Sequence, residues 1–337
     1  MTFVIRPALK GDLAHLYEMA KLTGGGFTNL PPDRDALTAK LAGSDAAFSR
    51  SDDGVASETF VLALENTLDH SVRGTCQIFT AVGQHYPFYS YRISTLTQYS
   101  DALKRTVTAE LLSLVNDLGG TSEVGGLFLH PGERAGGLGL LLARSRYLFI
   151  AAHRERFGER ILAELRGIID ERGGSPFWDA IGGKFFGMSF QEADEFNAIN
   201  GNQFIADLMP KHPVYIAMLD EEAKKVIGLP HPSGRAAMRM LENEGFSYQG
   251  YVDIFDGGPT MLAQTDQVRS IAAAHRGTLD GDMLDKGEKA LIAAGRLHDF
   301  RCCYGAREVD GEAIRVDAQA AELLRIAPGD TVWSVAR

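Results

Sequence analysis

The hydrophobic pattern at the start of the chain predicts alternating strands and helices. Phe3–Pro7 is a short apolar run that ends at proline, which predicts a first or edge strand. Asp12 precedes apolar residues at helical spacing, so we expect a helix with Asp12 as its N-cap. A second helix is predicted over 33–41, and the polar residues of 46–57 predict an exposed loop.

Two further apolar runs, 60–64 and 75–79, predict an antiparallel pair joined by a turn over 66–73. Aromatic residues alternate over 87–99 and predict a strand, in which they either pack within the sheet or stack on a bound adenine. The glycine-rich segment 23–28 is either a flexible turn that closes the first helix or a substrate loop.

The middle of the chain has the order strand, glycine-rich turn, helix. Leu127–Leu129 is apolar, 134–139 contains three glycines, and an amphipathic helical pattern begins at Leu138. One face of that helix is predicted to carry Leu138, Leu141, Leu142, Ser145, Leu148, Phe149 and Ala152. Its partner strand is predicted over 161–165.

The second half contains two helix signals that resemble each other. Pro176 suits the first turn of a short helix, and Gly245 is placed as the C′ glycine of a helix that Phe246 follows. The segments 175–190 and 236–246 have a similar character, which suggests a partial internal duplication.

The C-terminal part has a different pattern. Short strands are predicted over 300–304, 313–316 and 331–335, and a turn is predicted over 327–330. Residues 278–298 predict a mobile or helical connector. We therefore divide the chain into a core over 1–265, a connector over 266–298 and a small β appendage over 299–337.

Composition and charge narrow the class of protein. The 337 residues, 45% hydrophobic and 23% charged, are those of a soluble globular protein with an ordinary core. Acidic residues outnumber basic ones, 44 to 34, for a net charge of −10, which disfavours nucleic acid or an anionic membrane as the main partner. No leader precedes the first strand and no apolar run is long enough to span a membrane, so we expect a cytoplasmic protein.

The cysteines indicate neither a disulfide nor a metal site. Cys76, Cys302 and Cys303 have no metal-ligand spacing, and adjacent residues on a strand point to opposite faces. A reducing compartment fits this usage, and we expect no bound metal.

The glycine-rich segment from Arg134 to Gly139 is the strongest chemical signal. Glycines between a strand and a helix let backbone N–H groups approach a phosphate, the helix N-terminus adds a favourable dipole, and Arg134 supplies a cation. A Rossmann turn would need a different glycine spacing and an acidic residue further on, and a P-loop would need Gly-Lys-Ser/Thr, which is absent here. A glycine turn without a ligand remains the alternative.

The Arg-x-x-Gly-x-Gly spacing resembles the pyrophosphate loop of the GNAT acyl-CoA N-acyltransferases, with Arg134, Gly137 and Gly139 as cofactor-binding candidates. Over almost its whole length the chain resembles the arginine N-succinyltransferase family more specifically. The matching segments are Ile5–Pro7, 23–26, Tyr89–Arg92, Leu127–Leu129 with the glycine loop, Arg166–Asp170, Ser175–Trp178, Leu208–Pro213, Gly228–Pro232 and Asp253–Pro259. The chain departs from the family at His130, where members have Asp, so we assign His130 no role.

The resemblance implies an α+β, GNAT-like fold, with a mixed, mostly antiparallel sheet flanked by helices. It implies transfer of a succinyl group from succinyl-CoA to the α-amino group of L-arginine, the first step of succinyl-dependent arginine catabolism, with no permanently bound cofactor. His231 corresponds to the family's proton donor, and Leu127 to its succinyl-CoA contact.

The residues around His231 fit that role on chemical grounds. Pro230 and Pro232 restrict the backbone on both sides, and imidazole exchanges protons near neutral pH. An exposed loop histidine without a function is the alternative, and His212, which also precedes a proline, is the rival candidate.

Recognition of the two substrates requires opposite charges. A guanidinium calls for a carboxylate, and a succinyl carboxylate calls for Arg or Lys. The candidates for the first are Asp170, Glu171, Asp253 and Asp256, and those for the second are Arg92 and Arg166.

Two other functions remain open at this point. One is a related acyltransferase that acts on another basic amine such as ornithine, and the other is a catalytically silent acyl-CoA-binding module. Aromatic strands and the β appendage favour self-association, so a homo-oligomer is possible.

Overall fold

A computed structural model describes residues 2–23, 29–134, 136–200 and 203–337. The chain forms two compact units. The first unit comprises Met1–Ala81, Ser122–Glu159 and Gln264–Arg337, and the second unit comprises Val82–Thr121 and Arg160–Ala263. Beyond Thr23, the glycine-rich segment 23–28 lies outside the described residues.

The secondary structure elements are numbered in chain order. The strands are β1 (Phe3–Pro7), β2 (Thr59–Asn66), β3 (Val72–Phe79), β4 (Ser90–Ser100), β5 (Arg105–Val115), β6 (Ser122–Leu129), β7 (Arg160–Glu164), β8 (Val214–Tyr215), β9 (Ser247–Val252), β10 (Pro259–Gln264), β11 (His275–Leu279), β12 (Glu288–Ala294), β13 (Arg301–Asp310), β14 (Ala313–Val316) and β15 (Thr331–Ala336). The helices are α1 (Leu13–Lys21), α2 (Arg34–Ser49), α3 (Leu138–Ala152), α4 (Pro176–Ala180), α5 (Gly182–Phe186), α6 (Phe190–Asn200), α7 (Gln203–Leu208), α8 (Glu221–Lys224), α9 (Arg235–Glu244), α10 (Arg269–Ala272) and α11 (Ala318–Leu324).

The first unit contains an antiparallel sheet in the order β13-β1-β2-β3-β6. The predicted pairing of 60–64 with 75–79 is confirmed, because Leu62 lies opposite Cys76. Helices α1 and α2 cover one face with apolar residues at helical spacing, among them Leu16 and Leu41, which pack with Val61 of β2. This burial holds the two helices against the sheet.

The C-terminal strands form a closed barrel. Each of β11 to β15 pairs with two others of this set, in the cyclic order β12-β15-β11-β14-β13, and β13 returns to β12. The prediction of a mobile or helical connector at 278–298 is wrong, because β12 and the end of β11 fall there. Strand β13 also pairs with β1, through Cys302 opposite Ile5, so the small β structure continues the N-terminal sheet.

Helix α3 has the predicted range but not the predicted one-sided burial. Every residue from Leu141 to Ile150 is buried, including Ser145 and Arg146. Aromatic rings pack around it, with Phe149 centred 4.8 Å from Phe60 and 5.0 Å from Phe300. A helix that is enclosed on all sides does not need a polar face. The hydrophobic pattern of α3 alone therefore predicted burial of one face, whereas both faces are buried.

Two local predictions need correction. Asp12 does not cap α1 through its side chain, because its carboxylate accepts hydrogen bonds from Arg6 (2.7 Å) and from the Leu9 amide (2.7 Å). Helix α2 runs to Ser49, so the predicted loop 46–57 begins too early, and Phe48 is buried. The remainder of that loop is tied to buried Arg156, which bonds to Asp53 at 3.0 Å.

The second unit contains a sheet in the order β7-β10-β9-β4-β5-β8 and a helical layer whose core includes Phe177 and Trp178. The short helix predicted at Pro176 is confirmed, with the Ser175 hydroxyl accepting from the Trp178 amide at 3.2 Å. Gly245 ends α9 at φ 97°, as expected of a C′ glycine. Phe246 leads into β9 whereas Phe190 starts α6, so the two segments that resembled each other differ in structure.

Two further findings concern the whole described chain. None of its helices is both long and apolar enough to cross a membrane. Cys76, Cys302 and Cys303 are all buried free thiols.

Candidate active site

Strand β6 is interrupted at Leu127. Gly125 lies opposite Gln77 and Phe128 lies opposite Thr75, so that Gly126 and Leu127 together face Cys76. This is a β-bulge, and Gly126 has the left-handed φ of 56° that such a bulge requires. A bulge leaves the extra residue outside the regular ladder, and the half-buried Leu127 is therefore a position where backbone groups can meet a ligand.

Four polar side chains, each from a different element, lie around this bulge. The Gln77 side chain occupies the space beside Gly126, where an added Cβ would come within 2.8 Å of its amide nitrogen. Lys40 of α2 donates from Nζ to Gln77 Oε1 at 3.0 Å. Arg146 of α3 donates to the Gly125 carbonyl at 3.4 Å. The buried carboxylate of Glu123 completes the group, and we call these four side chains the bulge cluster.

Burial dominates the protonation of the bulge cluster. It raises the pKa of Glu123 to about 7, although Lys40 and Arg146 favour the charged carboxylate. Burial also lowers the pKa of Lys40 to about 8, against the attraction of Glu123. The cluster therefore contains two cationic side chains and one carboxyl group that is only partly ionised at neutral pH.

The glycine turn leads directly into α3. Gly136 and Gly137 have φ of 69° and 83°, and Gly137 is the N-cap of the helix without any side-chain cap. The first amides of α3 consequently have no side-chain acceptor, which is the arrangement that helix N-termini use to bind anions. Arg134 is exposed beside this turn, and Gly139 lies in the first turn of α3, where an added Cβ would be in ordinary contact with Leu129 at 3.8 Å.

Two residues of the C-terminal barrel fix the turn. The Tyr304 hydroxyl donates to the Gly137 carbonyl at 2.9 Å, and Arg337 donates to the Gly136 carbonyl at 3.1 Å. The Arg337 guanidinium also lies 4.1 Å from the centre of the Tyr304 ring. Both carbonyls are thereby held by the barrel.

In the second unit, His231 lies in a loop that is pinned at its backbone. The His231 amide donates to the Arg166 carbonyl at 2.7 Å. Its Nδ1 is 2.7 Å from the Ser233 hydroxyl, which can donate to Nδ1 or accept from Nδ1–H. Nε2 makes no hydrogen bond to the described residues, so it is the nitrogen that can exchange a proton. Burial, with a further contribution from Arg166, lowers the pKa of His231 below its usual value.

A buried carboxyl group braces the segment that carries Arg166. Asp256 accepts from the Gly167 amide at 2.7 Å and from the Gly258 amide at 2.8 Å. Burial raises the pKa of Asp256 to about 8, and neighbouring Asp253 adds to the shift. Both oxygens of Asp256 are engaged with backbone, so its role here is structural.

The other charged residues that the sequence suggested for substrate binding differ in whether their side chains already have partners. Asp170 is exposed and accepts from the Arg172 and Gly174 amides, both at 2.8 Å, as a turn residue. Arg92 lies 3.7 Å from Asp117 in an ion pair. Arg166, in contrast, has a buried Nε without a hydrogen-bond partner among the described residues.

Asp253 accepts from the Phe255 and Asp256 amides through one oxygen, at 2.7 and 2.8 Å. Burial raises its pKa. Asp194, which the sequence did not single out, also has a raised pKa because of burial and the nearby charge of Asp253. The described residues contain no group of His, Cys, Asp and Glu side chains arranged to hold a metal ion.

Comparison with known proteins identifies the family. A family model for the arginine N-succinyltransferase beta subunit matches residues 3–270, and a model for the C-terminal domain of that subunit matches residues 275–336. The chain belongs to the arginine N-succinyltransferase family. Its members are transferases, and the boundary between the two matches falls just before β11.

Individual relatives in this family span nearly the whole chain. Arginine N-succinyltransferase of Citrobacter koseri is 40% identical over 98% of this chain and 96% of its own length. Arginine N-succinyltransferase subunit beta of Pseudomonas aeruginosa is 40% identical over 98% and 97%. The structure of arginine/ornithine succinyltransferase subunit AI from Pseudomonas aeruginosa is 31% identical, with a TM-score of 0.88 over 99% of this chain and 98% of that one. These matches confirm the expected family, and the mixed helices and mostly antiparallel strands confirm the expected α+β class.

The sequence missed the bulge cluster and the Tyr304–Arg337 pair. One sequence signal for the bulge was available in this arginine N-succinyltransferase homologue. Two consecutive glycines, 125–126, lie within a strand pattern, and such glycines indicate a bulge or a close approach of another group to the backbone. For Tyr304 and Arg337 no local pattern points to the glycine turn.

Proposed function

We propose that this chain transfers the succinyl group of succinyl-CoA to the α-amino group of L-arginine, releasing CoA and N2-succinyl-L-arginine. The observation that carries the proposal is the bulge at Leu127, followed on the same chain segment by the uncapped N-terminus of α3. These features supply the two things an acyl-CoA requires, a donor for the thioester carbonyl and amides for the pyrophosphate.

The thioester carbonyl is polarised by the backbone N–H of Leu127. Negative charge develops on this oxygen when the amine attacks, and a fixed N–H donor stabilises the transition state more than the ground state. Because the donor is backbone, the Leu127 side chain is free to pack. The bulge supports this role, since it takes Leu127 out of the regular ladder with β3.

The pyrophosphate binds at the glycine turn. Gly136 and Gly137 allow the backbone to follow the phosphates closely, the α3 dipole favours their charge, and exposed Arg134 adds a cation. Gly139 places no side chain beside the first amides of α3, which leaves the phosphates room to approach them.

His231 transfers the proton. Its lowered pKa leaves the imidazole neutral at pH 7, so Nε2 can accept the proton that the arginine ammonium loses. The C–N bond forms as the C–S bond breaks, the nitrogen releases its second proton to water, and the imidazolium protonates the departing CoA thiolate. The Ser233 hydroxyl accepts from Nδ1–H both in the neutral ring whose Nε2 acts as the base and in the imidazolium.

Ornithine is a second candidate acceptor, because the Pseudomonas aeruginosa relative of known structure is named an arginine/ornithine succinyltransferase. The test is thiol release from succinyl-CoA and from acetyl-CoA, each with L-arginine, L-ornithine and L-lysine. We expect release that requires succinyl-CoA and is fastest with arginine.

Release only with acetyl-CoA, or only with lysine, would contradict the substrate assignment. Absence of release with every pair, from folded protein that still binds CoA, would instead support a silent acyl-CoA-binding module.

A further inference from the structure

The bulge cluster contains more positive charge than its own residues balance. Lys40 and Arg146 make no ion pair with a carboxylate among the described residues; their hydrogen bonds go to the Gln77 side chain and to backbone carbonyls. Glu123 is the acidic member, and it is only partly ionised near neutral pH because burial raises its pKa to about 7. Two cations beside one partly ionised carboxyl group leave positive charge uncompensated, and an anionic ligand relieves that cost.

Lys40 is placed to meet such a ligand. It is half-buried rather than fully buried, and its ammonium group donates to Gln77 beside the bulge. Gln77 is fully buried and its amide is fixed at both ends, since Oε1 accepts from Lys40 while Nε2 donates to the Asn29 carbonyl at 2.6 Å. A lysine whose rotamers are restricted in this way loses less entropy when it binds a carboxylate.

The same glutamine side chain touches the bulge. Its amide lies beside Gly126, the residue before Leu127, so Lys40 is separated from the bulge by one side chain. Both substrates of the proposed reaction bring a carboxylate close to the reacting carbonyl. The free carboxylate of the succinyl group is two methylene groups away, and the α-carboxylate of arginine is on the carbon that bears the amine.

We propose that Lys40, held by Gln77 beside the bulge at Leu127, binds a substrate carboxylate, from the succinyl group or from arginine. The inference rests on the proposed function and adds to it the residue that selects a charged substrate over a neutral one. Lys40 pairs with the carboxylate through a charge-assisted hydrogen bond, and Gln77 sets the direction of its ammonium group.

The experiment compares charged and neutral partners in the Lys40→Met variant. Succinyl-CoA is compared with butyryl-CoA, which has the same length without the carboxylate, and L-arginine with L-argininamide, which keeps the α-amine. Loss of a hydrogen bond between charged groups should lower kcat/KM for the charged member of one pair by about tenfold to a hundredfold, and leave its neutral member within about twofold. The pair affected identifies which carboxylate Lys40 binds.

Three further variants complete the test. Lys40→Arg keeps the cation and should retain the preference for the charged member. Gln77→Glu places a carboxylate against Lys40, so it should compete with the ligand and reduce the same preference. Lys21→Met, on exposed α1 surface, is the matched control and should behave as wild type.

Two outcomes overturn the proposal: equal losses for both members of both pairs, or no loss at all, in folded Lys40→Met protein. If the wild-type protein releases no thiol with any combination of acyl-CoA and amine, the proposed reaction is wrong. The carboxylate subsite is then tested separately by equilibrium binding. Weaker binding of only the charged ligand to Lys40→Met then supports the carboxylate subsite, and equal binding to both proteins contradicts it.

Discussion

The Tyr304 hydroxyl donates a 2.9 Å hydrogen bond to the carbonyl oxygen of Gly137, although the two residues are 167 positions apart in the chain. The bond joins β13 of the barrel to the turn that precedes α3. A region that the sequence suggested was an appendage therefore fixes the geometry of the proposed pyrophosphate site.

Tyr304→Phe should weaken acyl-CoA binding without changing the chemical step. Removal of one hydrogen bond costs about 1 kcal/mol and frees the turn. We expect a several-fold increase in KM for succinyl-CoA, an unchanged kcat and a small fall in Tm. Tyr99→Phe, at an exposed position of β4, is the control and should change none of these. An unchanged KM in Tyr304→Phe would show that the bond does not hold the turn.

Gly137→Ala should destabilise the protein and reduce CoA binding. Alanine at φ 83° is strained by about 1 kcal/mol or more, and its Cβ would lie 2.5 Å from Nη2 of Arg337, which must move. Gly43→Ala is the matched control, because Gly43 lies in α2 with open space around it and an alanine there should raise stability by up to about 1 kcal/mol. Thermal unfolding and calorimetric titration with CoA measure both effects. Equal behaviour of the two variants would contradict the expectation.

His231→Ala should lower kcat by about 100-fold to 10,000-fold with little change in either KM, as expected for a proton-transfer residue. His212→Ala is the control and should retain activity, because we assign the proton transfer to His231 and not to His212. Unchanged turnover in His231→Ala would remove His231 from the mechanism.

The pH profile gives an independent test of His231. Its neutral form must accept the first proton, and its pKa is lowered by burial and by Arg166, so kcat/KM should hold to a pH below the usual histidine value and then fall. Arg166→Gln removes one cause of the shift and should move this acidic limb to higher pH. A limb that stays in place would assign it to another group.

Glu123→Gln should change stability in a pH-dependent way. The pKa of Glu123 is raised to about 7 in the folded protein, so the folded state retains its proton more tightly than the unfolded chain does. Its favourable contribution is complete below the unfolded pKa and is lost as pH rises toward 7. The Tm difference between variant and wild type should therefore move in favour of the variant from pH 5 to pH 8. Glu312→Gln, an exposed control, should show a constant difference.

Asp256→Ala should act on stability rather than on recognition of arginine. It leaves the Gly167 and Gly258 amides without their acceptor, at a cost of about 2 kcal/mol or more. Denaturant unfolding measures the loss, with exposed Asp170→Asn as the comparison. A stable Asp256→Ala protein with a selectively raised KM for arginine would restore Asp256 as a guanidinium ligand.

The sequence by itself determined the features that depend on neighbouring residues. Gly245 takes the left-handed φ of a C′ glycine, Pro176 starts a helix, and the apolar runs of β2 and β3 pair across a short turn. Each follows from local sterics or local hydrogen bonding, so a short stretch of sequence is enough to predict it. The resemblance to the arginine N-succinyltransferase family came from such short segments as well.

Only the tertiary structure decided which distant residues meet. Periodicity indicates that a face is buried but not what covers it, so α3 was predicted to be one-sided and is enclosed. Asp12 has the sequence of an N-cap, yet Arg6 and the Leu9 amide take its carboxylate, because an ion pair with hydrogen bonds is stronger than a cap. Lys40 meets Gln77 and Tyr304 meets Gly137 only because the sheet and the barrel bring separate segments together, and no local energy term in the sequence encodes those contacts.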